Sequence, residues 1–161
     1  MNYKRLGGMA ALFMLLAFPA SASMVSLLLV ETGINGRAPS SQITSVWEGG
    51  LLSAFFNAGH IVTNSPITRM QNKPSPFISG SIENDFNEAV FGGAEYFILG
   101  FLEYQLQSGT LVPVELALKI YTANTKKLLY EQSFPVGRGS NFAEEYRLAQ
   151  NAGRVIISQL Q

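Results

Sequence analysis

The 161-residue chain contains no cysteine. That excludes disulfides, thiolate metal sites, a cysteine nucleophile and an acylated-cysteine anchor. It contains one histidine, His60, so no site can use two or three imidazoles. Only 14% of the residues are charged, and 11 basic side chains balance 11 acidic ones. Without a basic excess there is no electrostatic footprint for nucleic acid, and without an acidic block there is no signature of disorder. Phosphate-binding loops are missing too. Glu48-Gly49-Gly50 and Gly137-Arg138-Gly139 match neither the Walker pattern nor the dinucleotide fingerprint, and no internal repeat occurs. No cofactor and no metal are expected. What the chain does have is apolar residues, 47% of the total, enough for the packed core of one domain.

Residues 1–22 read as a secretion signal. Lys4 and Arg5 form a positive start, residues 6–18 are apolar, and Ala20 and Ala22 are spaced as a small-x-small cleavage site. Cleavage after Ala22 leaves residues 23–161 as a single domain. The apolar stretch is short for a membrane span of about 20 residues. Its retention as an inner-membrane tether is the alternative, because apolar residues resume at 24–30. The compartment expected is the periplasm of a bacterial envelope, with membrane contact only through an uncleaved leader.

The rest of the chain is organised around residues 93–134. Residues 94–104 are apolar at nearly every position, with Tyr96, Ile98 and Leu102 on one alternating face and Phe97, Leu99 and Phe101 on the other. A strand apolar on both faces sits mid-sheet and is covered on both sides. Residues 112–121 and 128–136 alternate as two further strands, joined by a turn at Asn124, Thr125, Lys126 and Lys127. Upstream, residues 25–30 read as a buried first strand. A helix follows from a cap at Ser40 or Ser41 to about Ala58. Its Gly49-Gly50 pair costs about 1 kcal/mol per glycine relative to alanine, which close approach of this helix to the sheet would explain. Residues 60–63 form a second strand and residues 64–80 a long loop. Ser81 caps a second helix, which Gly92-Gly93 stops. Asn141 with Glu144 resembles a capping box, opening a terminal helix. The order is β-α-β-α-β-β-β-α, an α/β fold with a five-stranded mixed sheet and helices packed on it. The first three strands are parallel with right-handed crossovers, and the last two are antiparallel.

The block Gly93-Ala94-Glu95-Tyr96-Phe97-Ile98-Leu99-Gly100, the strand through Tyr121, the run Lys127-Leu128-Leu129-Tyr130-Glu131-Gln132-Ser133-Phe134 and the helix end Ile156-Ile157-Ser158-Gln159-Leu160 together resemble the amino-terminal domain of the periplasmic protein TolB. The same plan occurs in CsgG and in LpoB. The resemblance covers residues 24–161 in plan. It implies a compact envelope domain that binds protein partners, and it implies no catalytic residues. A β-propeller follows this domain in TolB and none is expected here, and CsgG and LpoB carry an acylated cysteine whereas this sequence contains no cysteine.

Candidate residues are few. His60 has no serine, cysteine or aspartate at a recognisable spacing, so a structural role is expected of it. Glu31, Glu48, Glu95 and Glu103 are the acids nearest apolar elements, and nothing local pairs them. Trp47 falls on the apolar stripe of the first helix, which points to core packing. Arg138 between glycines suits a turn. Within the long loop, Arg69, Met70, Lys73 and Phe77 form the candidate partner surface, because loops on a rigid scaffold carry binding. The function expected is a non-catalytic envelope protein that binds protein partners as an accessory in assembly or secretion, through this loop or through the edge at 128–134. A small-molecule-binding domain, with its pocket between the glycine-containing helices and the sheet, is the alternative, and a His60-dependent hydrolase the third reading.

Overall fold

The computed structural model describes residues 22–34, 36–37, 39, 41–71 and 80–160. The leader expected over residues 1–22 lies outside them except for Ala22. In chain order the elements are β1 (Met24–Thr32), α1 (Ser41–Asn57), β2 (Ile61–Asn64), β3 (Thr68–Arg69), α2 (Gly80–Phe91), β4 (Tyr96–Gln107), β5 (Thr110–Thr122), β6 (Leu128–Pro135) and α3 (Phe142–Ile157).

The sheet order is β2-β1-β4-β5-β6, so β4 occupies the middle, as its two apolar faces require. β1 runs parallel to β2 and to β4, while β4–β5 and β5–β6 are antiparallel. Both expectations about strand direction hold. The sheet has six strands rather than five. The added strand, β3, lies in the segment read as loop. It pairs with the end of β1, Val30 with Thr68 and Glu31 with Arg69. β2 and β3 together form one broken edge beside β1, interrupted around Pro66, which has no N–H to give to a ladder.

Two apolar layers flank the sheet. On one face Ile98 and Leu102 of β4 pack with Leu27 and Leu29 of β1 beneath Trp47, Leu51 and Phe55 of α1 and Ala149, Ala152 and Ile156 of α3. On the other, Phe97, Leu99 and Phe101 lie with Leu28 and Val30 beneath Ile82, Phe86 and Ala89 of α2. The Phe86 ring stacks on Phe97 with centroids 4.0 Å apart. The alternation read from residues 96–102 thus assigns each side chain to its observed layer. The β4–β5 hairpin turns on Ser108 and Gly109, both at positive φ. Two such residues match the right-handed twist of the flanking strands. A bulge falls at Glu103/Tyr104 of β4, where Tyr104 faces Pro113. The missing proline N–H costs nothing where the ladder is already interrupted.

The helix starts need small corrections. Ser41 is the first residue of α1, and Ser40 lies outside the described residues. α2 begins at Gly80, so Ser81 stands within its first turn rather than before it. Asn141 does cap α3, accepting from Glu144 N–H at 3.0 Å. The return arm of the box reaches one residue further back. Ser140 N–H and Ser140 Oγ–H both donate to Glu144 Oε2, at 2.7 and 2.6 Å.

The glycines of α1 serve a different neighbour from the one expected. A Cβ on Gly50 would stand 2.6 Å from the Ala149 Cβ and 2.5 Å from the Tyr146 carbonyl oxygen, and one on Gly153 would stand 2.7 Å from the Ala54 Cβ. The close approach is therefore between α1 and α3, which run side by side in the same direction. No such crowding exists at Gly49, where a Cβ meets only the edge of the Tyr146 ring at 3.6 Å. Gly50→Ala is expected to destabilise the domain by about 1–3 kcal/mol in urea unfolding through overpacking. Gly49→Ala should gain up to about 1 kcal/mol from helix propensity.

Candidate functional site

In a sheet with parallel strands, ligands and partners are commonly met beyond the carboxyl ends of those strands. Here that end holds a buried polar network. Glu31 lies on the α1/α3 face of β1, on the same alternation as Leu27 and Leu29, and its side chain has no contact with solvent. A buried carboxylate needs partners, and two elements supply them. Arg69, its cross-strand neighbour on β3, donates from Nε to Glu31 Oε2 at 2.5 Å. Thr44, in the first turn of α1, donates to Glu31 Oε1 at 2.5 Å. Thr44 Oγ1 lies 2.8 Å from the Tyr104 hydroxyl of β4. With the threonine proton committed to Glu31, the phenol is the donor in that contact. Burial pushes the Tyr104 hydroxyl well above its ordinary range, with the Glu31 and Glu145 charges adding to the effect. Tyr104 therefore remains a proton-bearing donor across the physiological range. The chain Tyr104–Thr44–Glu31–Arg69 joins four elements and leaves neither Glu31 oxygen without a donor. Chemically it is a clasp. Alongside it Gly33, at positive φ, lets the chain leave β1 against β4, since a Cβ there would stand 2.3 Å from the Tyr104 carbonyl oxygen.

A second buried acid lies nearby. Glu145, in the first turn of α3, is 2% exposed. The backbone N–H of Gly139 donates to its carboxylate, while Oε2 is buried without a partner. Burial raises the Glu145 carboxyl above its usual range, against the lowering influence of Gly139 and Arg138. The segment after β6 packs so tightly over it that a Cβ on Gly139 would stand 2.7 Å from Glu145 Cγ. A cleft of about 260 Å³ opens there between Ile43, Arg138, Phe142 and Glu145. A second, of about 460 Å³, lies between the β4–β5 hairpin and Val136, Gly137 and Arg138. Arg138 borders both.

The residues singled out from sequence fall as follows. Arg69 is held in the clasp, with its side chain 48% exposed. Met70 packs partly buried against the α2 layer. Lys73 and Phe77 lie outside the described residues. Trp47 is fully buried in the core, as expected, with its Nε1 lacking a partner. His60 packs edge-on against Phe55, and its Nδ1 is buried without a partner. It precedes Ile61, which pairs with Met24, seven residues before Glu31. His60 and the Glu31 network are thus at opposite ends of β1, about 23 Å apart along the strand. Among the described residues, no three side chains of metal-ligating type come together. Thr44 and Tyr104 escaped the sequence reading altogether. The one available signal was Glu31 itself, an acid closing an otherwise apolar strand.

No protein-family model matches the chain, and no curated protein matches it. Solved structures do. The PelC dodecamer from Paraburkholderia phytofirmans aligns over 87% of this chain and 88% of its own, at TM-score 0.54 and 12% identity. The chain shares its fold with PelC. At that identity the likeness concerns the fold alone. TolB from Acinetobacter baumannii aligns over 89% of this chain and 29% of its own, with TM-score 0.44 and 14% identity. The LpoB C-terminal domain from Escherichia coli aligns over 80% and 90%, with TM-score 0.42 and 18% identity. The mixed α/β plan expected from the strand motif and its resemblance is present in the chain.

Two outcomes follow from the buried acids. Arg69→Met strands the Glu31 charge and should cost about 2–4 kcal/mol, towards the lower part of the range for broken buried pairs because the guanidinium is half exposed; urea unfolding reads it directly. For Glu145, a folded-state pKa raised above the unfolded value means that its ionisation opposes folding. The stability present below the unfolded pKa is lost as pH rises through the folded pKa. Glu145→Gln removes that loss. Its melting temperature relative to wild type should therefore be higher at pH 7 than at pH 4.

Proposed function

We propose that the protein is a non-catalytic bacterial cell-envelope domain that binds protein partners, as an accessory in envelope assembly or secretion. The observation that carries this reading is the open edge of the sheet. β6 is last in the strand order and pairs only with β5 among the described residues. A free edge offers a row of backbone donors and acceptors to an added strand. Along it Tyr130 and Phe134 turn inward to the α1/α3 layer, while Leu128, Leu129, Glu131 and Ser133 are exposed. Lys119 pairs with Glu131 at 2.9 Å on the same strands. The buried polar groups support the non-catalytic part, since Tyr104 is held protonated and Glu31 is saturated by donors. Export rests on the leader read over residues 1–22. The PelC structure that shares this fold is a dodecamer, which supports association as the use made of such a domain, further copies of the chain included.

A small-molecule reading is favoured by one observation, the cleft of about 260 Å³ over Glu145 and Arg138. At the place first expected for a pocket, between a glycine-bearing helix and the sheet, Trp47, Leu51 and Phe55 of α1 are fully buried against β1 and β4. The test is cross-linking pull-down from envelope extract with the whole chain as bait, beside Leu129→Lys with Ser133→Lys, which adds two charges to the edge. Wild type should recover a reproducible partner or its own copies, and the charged edge should lose them. No reproducible partner, or equal recovery by both chains, contradicts the proposal.

A further inference from the structure

Among the described residues nine large apolar side chains are exposed. Leu106, Phe142 and Tyr146 lie on the far part of β4 and the first half of α3, while the other six, Phe56, Ile61, Phe91, Leu128, Leu129 and Val155, share one end of the molecule. The strand registers place them there. Ile61 pairs with Met24, the first residue of β1, and its N–H donates to the Ser23 carbonyl. Phe56 is in the last turn of α1, where the Gly59 N–H donates back to its carbonyl oxygen. Phe91 ends α2 just before Glu95, whose N–H donates to the Met24 carbonyl. Leu128 pairs with Tyr121, which itself pairs with Phe97 near the start of β4. Val155 lies two residues past Gly153, which abuts Ala54 in the second half of α1. Phe91 is 92% exposed and Phe56 71%, values that a packed core or a small ligand does not require. The Glu31 clasp and both clefts occupy the opposite end.

The chain enters the domain at this same end. In the full chain, before any cleavage after Ala22, five residues separate the apolar run of residues 6–18 from Met24. Those five residues span at most about 20 Å when extended. Lys126 and Lys127 lie in the adjoining β5–β6 turn, Lys126 paired to Glu83 at 3.0 Å. The exposed groups come from both helical layers and from both edges of the sheet, so they rim the end rather than forming one flat face for a partner. Phenylalanine and leucine dipping into the headgroup boundary beside lysine is the chemistry of a surface-bound protein. Among the described residues no helix is long and apolar enough to cross a membrane.

We propose that the amino-terminal end of the sheet docks on a lipid bilayer, with Phe56, Ile61 and Phe91 entering the headgroup boundary, leaving the clasp end facing away. This does not rest on the protein-binding reading. The absence of cysteine permits single labels. Phe91→Cys and, at the far end, Gln107→Cys would each carry an environment-sensitive fluorophore on the full chain, mixed with phosphatidylethanolamine–phosphatidylglycerol vesicles with and without brominated acyl chains. The label at 91 should brighten and be quenched by bromine, and the label at 107 should do neither. Adding Phe56→Ser and Ile61→Ser to the Phe91→Cys chain should lower vesicle affinity about tenfold, with thermal unfolding unchanged because all three positions are exposed. Equal responses at 91 and 107, no response at either, full quenching despite the serine changes, or a response at 91 to envelope proteins but not to vesicles would each overturn the proposal.

Discussion

Two neighbouring strands, β1 and β4, are apolar on both faces, and that single constraint orders the molecule. Leu27, Leu29, Ile98 and Leu102 face one way, and Leu28, Val30, Phe97 and Leu99 the other. Leaving either set in water forfeits about 25 cal/mol per Å² of apolar surface. Helices must therefore cover both faces, and β5 with the broken β2–β3 edge must cover both sides. What remains for function is the rim: the β6 edge, the clasp end and the apolar end.

Into this greasy pair the chain inserts one acid, Glu31, and the surroundings are arranged to accept it. Arg69 draws the two-residue strand β3 onto β1, and Thr44 and Tyr104 tie the start of α1 to the far end of β4. The Glu31 carboxylate would not be stable at that depth without the donors from Arg69 and Thr44. The clasp gives the molecule a polarity along its strands, with the buried acids Glu31 and Glu145 at the carboxyl end and the exposed side chains of Phe56, Phe91 and Leu128 at the amino end. An edge and an end that face different directions suit a domain that holds a surface while meeting a partner.

Most of the fold was legible because its signals are local. The two-residue alternation of residues 96–102 gave each side chain its layer. The helix between β1 and β2 required a parallel crossover, and the turn at 123–127 required an antiparallel return. What escaped depends on distant contacts. β3 is two residues long and owes its existence to the ladder and ion pair it makes with β1, so no periodicity marks it. The crowding at Gly50 comes from Ala149, on a helix a hundred residues away, and the glycine alone could not say whether sheet or helix was the neighbour. Glu31 was conspicuous, but its partners Thr44 and Arg69 stand 13 and 38 residues from it, and Tyr104 stands 60 residues from Thr44. Arg69 was read as a surface residue because it lay in apparent loop, and half of its side chain is.

Native-state hydrogen exchange in increasing urea tests the central constraint most directly. If β1 and β4 are buried on both faces, the amides of residues 97–101 exchange only through global unfolding, with a urea dependence equal to that of the whole domain, while those of β2 and β6 exchange by local opening with little urea dependence. Amides at 97–101 that exchange as readily as those of the edge strands, without urea dependence, would contradict it.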